Sequence, residues 1–321
     1  MEVDILGMQE LVFCPTCSGA GGLNSEPCPD CRGLAVAALH GKTILFWGKR
    51  LTPRAIKFSR TAATLRGVLN FFALLVGTAG AGAFAVLLAR SGFAAVFTAR
   101  FWGQSHPLLL AFWVSAWFDL YLIYRISEES AARASVPRAR YGEEDAALGA
   151  PDWNALKRAP RRMRFDISRA YTSEARSAIE RAVATAASRG AGEVRLIHLL
   201  AALVVAPKTA YIAGRLGLPL AGLTERIHRA LGEVPTGAVP KITEGFWRAL
   251  YSAYEYTRAA RRSRVDTPDL FLAAASPEGV VKEILYDLEV DEEKLRNVVL
   301  WIRTTEDLVA RVRGGRARAR L

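Results

Sequence analysis

Hydrophobic positions change their spacing several times along the chain, and each change predicts a different element. Within residues 1–50, short β-prone runs at 11–13 and 34–38 alternate with Gly, Pro and Cys, which predicts a small ribbon. Residues 68–89 then hold 22 positions without a charge, and a helix rising ~1.5 Å per residue over that length crosses a ~30 Å hydrocarbon core. Residues 107–124 repeat the pattern over 18 positions, broken only by Asp119. Both stretches read as transmembrane helices. The connection between them carries Phe93, Phe97, Phe101 and Trp102, aromatics suited to a membrane interface. Residues 127–164 lose apolar periodicity and include Pro137, Gly142, Gly149, Pro151 and Pro160, which predicts a flexible linker.

From 165 to 312 helical spacing returns, and it repeats. A shift of 71 positions lays Thr172 on Thr243, Ala178 on Ala249, Ala182 on Ala253, Val194 on Val265 and Leu199 on Leu270; a shift of 72 then lays Leu216, Leu218 and Leu223 on Leu288, Val290 and Leu295. Each copy predicts four helices. In the first, Ala175, Ile179, Ala182 and Ala186 mark one apolar face, 196–205 is a short apolar helix for the bundle centre that Pro207 stops, and 208–216 and 219–231 follow. In the second, Thr267-Pro268-Asp269 predicts a helix start with Thr as N-cap, and Asp291 begins the last helix.

Net charge is +12 and pI about 9.9. The excess sits beside the apolar stretches: Lys42, Lys49, Arg50, Arg54, Lys57, Arg60 and Arg66 precede the first, Arg125, Arg133, Arg138 and Arg140 follow the second, and only Arg90 and Arg100 lie between. The positive-inside rule then places both termini in the cytoplasm. Residues 1–13 hold Glu2, Asp4 and Glu10 with no basic residue, unlike a signal peptide. Gly77, Gly80 and Gly82 with Ala79, Ala81 and Ala83 offer a small-residue face against which the second span can approach. Asp119 reads either as an intramembrane polar contact or as a carboxylate near the interface.

All four cysteines lie in Cys14-Pro-Thr-Cys17 and Cys28-Pro-Asp-Cys31. Two such knuckles can set four thiolates tetrahedrally on one Zn²⁺, and four protein ligands close the site, so the metal is structural. A reducing compartment agrees with the cytoplasmic orientation. The stretch CPTCSGAG with CPDCRG resembles the CxxCxGxG repeats of DnaJ-type co-chaperones; the resemblance covers about twenty residues and implies the zinc, not chaperone activity.

Tyr171-Thr-Ser-Glu-Ala175, the Ala-rich helix, Ile197-His-Leu-Leu-Ala201 and Leu216-Gly-Leu-Pro-Leu220 resemble the first repeat of the N-terminal domain of Clp-type AAA+ chaperones, and the second copy resembles its second repeat. The resemblance implies a pseudo-twofold helical module that recruits substrate polypeptides or adaptors. The chain departs from it at Asp269, where the first copy has His198, and in the basic run of Arg258, Arg261, Arg262 and Arg264. His198 reads as a packed helix residue. On the helix after Thr243, positions 246, 250 and 254 share the core face; the other face, with Trp247 and Tyr251, is the candidate partner-binding surface.

The expected fold is mainly α: a small β-rich zinc ribbon-like module (1–50), a basic juxtamembrane segment (51–67), a two-helix transmembrane hairpin (68–126), the linker (127–164), an eight-helix pseudo-twofold Clp N-terminal-like bundle (165–312) and a basic tail (313–321). Gly41-Lys42-Thr43 is not a Walker A loop, because Val36 stands where the first glycine belongs, and no HExxH or GxSxG occurs. The expectation is therefore a binding protein rather than an enzyme. It is a membrane-anchored adaptor or substrate-recognition module of a Clp-type chaperone or protease system, with a protein substrate or Clp-type ATPase as partner. Nucleic-acid binding through the zinc ribbon and basic flanks, and a partner scaffold, are the alternatives.

Overall fold

The computed structural model describes residues 11–19, 21–23, 26–31, 34–40, 43–132, 136, 152–237, 240–275 and 279–318. They form two compact units: residues up to Ile56 together with those from Val136 onward, and residues 57–132.

In the first unit the described residues begin with a ribbon. Strand β1 (Val12–Phe13) leads into the first knuckle, β2 (Gly22–Leu23) pairs with β3 (Glu26–Pro27), and β4 (Val36–His40) with β5 (Thr43–Phe46) forms a hairpin. β1 pairs antiparallel with β4, as the runs at 11–13 and 34–38 predict. The second unit follows, with α1 (Pro53–Ser91), a 3-10 turn (Phe93–Phe97), α2 (Ala99–Trp102) and α3 (Pro107–Ala132). The chain then returns through α4 (Trp153–Arg158), a 3-10 turn (Arg161–Met163) and β6 (Arg164–Asp166). β6 pairs parallel with β5, Leu45 opposite Phe165, which gives the sheet the order β1-β4-β5-β6.

That pairing departs from the sequence expectation of a ribbon separated from the helices by a linker. Residues 127–132 extend α3, and residues 152–166 form α4, the turn and β6; residues 133–135 and 137–151 lie outside the described residues. The ribbon and the helices share one core. Trp47 lies edge-on to Tyr171 (ring centroids 5.2 Å apart) and to Trp247 (6.0 Å), and the Tyr251 hydroxyl donates to the Val36 carbonyl at 2.9 Å. Asp166 accepts from the Gly48 N–H (2.9 Å) and the Ser168 N–H (3.0 Å), tying β5 to the start of the helical region. Leu51, Ile56 and Val136 belong to the same core.

The helical region continues with α5 (Ser173–Ser188), β7 (Glu193–Val194), α6 (Leu196–Val204), α7 (Pro207–Arg215), α8 (Leu220–Gly232), β8 (Lys241–Ile242), α9 (Glu244–Ala259), α10 (Thr267–Ala275), α11 (Val280–Tyr286) and α12 (Glu292–Arg318). Both short apolar helices sit where their composition requires: Leu199, Leu200 and Leu203 of α6, and Leu270, Phe271, Ala273 and Ala274 of α10, are buried. Pro207 does stop α6, but it also opens α7 as its first residue, across an 89° bend. Asp291 caps α12, accepting from the Lys294 N–H at 2.6 Å. At α10 the capping differs from expectation. The Asp266 carboxylate, not the Thr267 hydroxyl, accepts at the helix start, from the Thr267 N–H at 2.9 Å, while Asp269 reaches back to the Asp266 N–H at 2.9 Å.

The two copies exchange bridges in a reciprocal way. Tyr171 pairs with Val265, and Val194 pairs with Ile242, both parallel. Under the 71-residue shift, Tyr171 corresponds to Ile242 and Val194 to Val265, so the residue before the first helix of each copy meets the residue after that helix in the other.

In the hairpin unit, α1 and α3 are each long and apolar enough to cross a membrane. The basic stretch 53–67 forms the opening turns of α1 rather than a separate segment. Leu87, Phe101 and Leu109 make a small core where the connection folds back, and Phe84 stacks on Phe112 with centroids 4.3 Å apart. Phe101 is therefore inside, while Phe93 and Phe97 are exposed. Only part of the small-residue face is used. A Cβ at Gly77 would collide with the Asp119 carboxylate and one at Gly80 with Ser115, whereas nothing lies within 4 Å of Gly82. Gly80→Leu is expected to lower the melting temperature of the detergent-solubilised protein, because Ala111 O as well as Ser115 blocks the added side chain; Gly82→Leu, measured alongside, is expected to leave it unchanged.

Candidate functional site

The two knuckles bring Cys14, Cys17, Cys28 and Cys31 together. Their sulfur atoms all lie within 4.8 Å of one another, with Cys14 to Cys28 at 4.0 Å and Cys17 to Cys31 at 3.7 Å. A tetrahedral Zn²⁺ with bonds of ~2.3 Å sets sulfurs about 3.8 Å apart, so the cluster fits that ion. The backbone holds the loops in place: the Cys14 N–H bonds the Ala35 carbonyl (2.9 Å), the Ser18 N–H the Cys14 carbonyl (2.8 Å) and the Leu34 N–H the Cys31 carbonyl (2.9 Å). Ser18 and Gly19 take the left-handed turn conformation (φ 47° and 86°). At Gly19 a Cβ would press on Val36, Phe13 and Trp247, so glycine there lets the knuckle lie flat on the core.

All four cysteines are buried, and α4 covers them. Trp153 packs against the cluster, and Lys157 pairs with Asp30, which also accepts from Thr16 Oγ1 at 3.1 Å. Burial pushes the Cys17 thiol well above its ordinary value, and the neighbouring cysteines add to the shift. Burial acts the same way on Cys28 but is outweighed by the backbone N–H groups of Cys31 and Asp30, which bring it below the ordinary value. Four thiolates this close would need a cation among them to offset their charge. Such a closed, covered set of four would hold zinc as a structural pin.

The other sequence candidates do not gather at one place. Trp247 and Tyr251, expected on an exposed recognition face, are 1 % and 6 % exposed. The ribbon accounts for this, since Trp47, Gly19 and β4 cover the second face of α9. In this structure neither side chain is available to a partner. His198 is buried, as expected of a packed helix residue; its Nδ1 accepts from the Arg195 N–H at 3.1 Å, and burial lowers its pKa. Asp119 packs against Gly77 in the hairpin unit.

A feature the sequence did not single out lies at the seam of the two copies. A cleft of about 330 Å³ opens where α6, α9 and α11 begin, lined by Ile197, Val234, Val280 and Val281, with Arg195 and Glu233 as its charged residues. The repeat register makes Asp266, Lys208 and Glu306 equivalent to Arg195, Val280 and Val234. There the corresponding space is filled by ion pairs. Lys208 pairs with Asp266 and with Glu306 (3.0 Å), Arg303 bonds Asp266 (3.2 Å) and Asp269 (3.0 Å), and Arg262 bonds Asp269 (3.2 Å). One of two equivalent positions is thus open and the other is filled by charge.

No protein-family model matches the sequence, and no curated protein matches it. Among solved structures, the chain is similar to the Hsp104 N-terminal domain from Candida albicans, at 16% identity over 41% of this chain and 91% of that one (TM-score 0.39). It is also similar to the N-terminal domain of the caseinolytic protease associated chaperone ClpD from Arabidopsis thaliana, at 20% identity over 41% and 95% (TM-score 0.34). A third similarity is to a ClpV N-domain in complex with a VipB peptide, at 17% identity over 39% and 82% (TM-score 0.33).

Proposed function

We propose that this chain is a membrane-anchored protein-binding module of the Clp N-terminal type, an adaptor or substrate receptor that works without an ATPase of its own. Two helical copies related by a pseudo-twofold form the receptor, α1 and α3 hold it at a bilayer with both termini cytoplasmic, and one zinc pins the ribbon. The reciprocal bridges and the repeat support the two-copy arrangement. The excess of Lys and Arg outside the spans supports the orientation.

The observation that carries the binding role is the open cleft. It is concave, mostly apolar and bounded by few charges, which suits an apolar side chain presented on a polypeptide. The filled counterpart argues for one such site per chain. A photo-crosslinking residue at Val280, 45 % exposed, tests this in full-length protein in its native membrane. Capture of a Clp-type ATPase, its protease or unfolded clients is the expected result. Gly245→Leu is expected to reduce the yield ~10-fold, a loss of ~1.4 kcal/mol of binding. A Cβ at that position meets Leu196 at an ordinary 3.6 Å, so the variant fills the cleft without forcing the fold apart. Capture of nucleic-acid-binding proteins alone, or a yield indifferent to Gly245→Leu, overturns the proposal.

A further inference from the structure

Helix α12 outlasts the bundle it belongs to. Leu295, Val299 and Ile302 are buried, and Arg303 and Glu306 make its last ion pairs with α7 and the start of α10, yet the helix continues to Arg318. On a different face, Trp301, Leu308 and Val312 are 48, 53 and 55 % exposed. At 100° per residue these three fall within an arc of about 40°, an apolar stripe with Thr304 and Thr305 on the turn between its first two members. From Leu308 onward the sequence has no acidic residue and five arginines, of which Arg311, Arg313, Arg316 and Arg318 lie on the helix.

The near end of the stripe carries a second mark. Arg215 lies over the Trp301 ring (4.8 Å to the centroid) and over the Tyr211 ring (5.3 Å), and it donates to the Tyr211 hydroxyl at 2.8 Å. Tyr211 is itself exposed. An indole and a phenol held by a cation beside an apolar stripe match the chemistry of a bilayer's headgroup region.

We infer that the distal half of α12, with Tyr211 and Arg215, is an interfacial helix that lies in the headgroup layer of an anionic phospholipid bilayer. Charge complementarity selects this occupant. Two copies of this segment facing one another would bring together two acid-free, arginine-rich sequences, and a nucleic acid would leave the apolar stripe in water. Anionic lipid satisfies both the arginines and the stripe. The inference rests on the membrane-anchored reading, because two spans would keep the helix within reach of a bilayer.

The test uses full-length protein in proteoliposomes, with an environment-sensitive fluorophore on Val312→Cys and nitroxide-labelled lipid as quencher. In vesicles containing anionic phosphatidylglycerol the probe is expected to shift to the blue and be quenched by the lipid label, and in pure phosphatidylcholine to be quenched much less. Adding Arg311→Glu and Arg313→Glu is expected to weaken the lipid-bound state at least fivefold per arginine. A probe that remains in water in anionic vesicles overturns the inference. So does a probe shielded from water but untouched by the lipid quencher, which would mean that a second copy or another protein covers the stripe. Alkaline extraction of the same vesicles separates the two claims: retained protein supports the spans whatever the probe reports, and extracted protein rejects them.

Discussion

Removing metal from the four-cysteine centre is expected to loosen the whole ribbon-and-helix unit. The knuckle loops contain little regular structure of their own, and their four cysteines form the buried cluster that Trp153 covers. Structural zinc contributes roughly 10–16 kcal/mol of apparent binding free energy in small zinc-folded peptides, comparable with or larger than the ~5–15 kcal/mol total stability of an ordinary domain. The effect should spread because the knuckle does not stand apart. Gly19 lies against Trp247 and Val36, and Val36 accepts the Tyr251 hydroxyl bond. Elemental analysis should give one zinc per chain. Chelation, or Cys17→Ser, should red-shift the tryptophan emission as Trp47 and Trp247 meet water, and lower the melting temperature by well over 10 °C. A metal-stripped protein with unchanged melting and emission would show that the thiols only happen to be close.

How much of this could be read from the chain depends on how local each signal is. The knuckles, the two long apolar helices and the cap at Asp291 are written within a few neighbouring residues, and spacing alone found them. The parallel pairing of β5 with β6 joins residues on either side of the inserted hairpin, Ile44 opposite Arg164, and no local pattern encodes such a partner. Trp247 and Tyr251 were misplaced for the same reason. Helix α9 has two apolar faces, and one of them reads as surface until the ribbon is known to cover it. The cleft was invisible because it is a difference between copies: apolar Val280 and Val234 in one register, Lys208 and Glu306 in the other. A repeat alignment shows that contrast only to a reader who asks what each pair of equivalent positions would touch.

Arg303→Ala is expected to cost about 3–5 kcal/mol, the usual effect of removing one member of a buried ionic group. Asp266 and Asp269 are both nearly inaccessible, and Arg303, also largely buried, bonds each of them. Lys208 contacts Asp266 as well but is about one-third exposed, and Arg303 would stay in its absence; Lys208→Met should therefore cost ~1 kcal/mol or less. Replacing the charges together, with Arg262→Leu, Arg303→Leu, Asp266→Asn and Asp269→Asn, should cost less than Arg303→Ala alone, since the two buried carboxylates and the two largely buried arginines that bond them then lose their charges together. Acid distinguishes this from simple loss of packing. Burial opposes the charge on Asp266, but Lys208, the Thr267 N–H and Arg303 hold its pKa below the ordinary value, so its contribution is present above ~3.9 and is lost as pH falls through the lowered value. Burial pushes Asp269 up, and Arg303 and Arg262 offset this only in part, so Asp269 favours the fold in acid and opposes it at neutral pH. Without Arg303 both carboxylates become harder to ionise. The gap between wild type and Arg303→Ala, measured by urea unfolding, should be widest near pH 7 and narrow as pH falls below about 4. A gap that stays constant with pH would assign the loss to packing of the arginine stem instead.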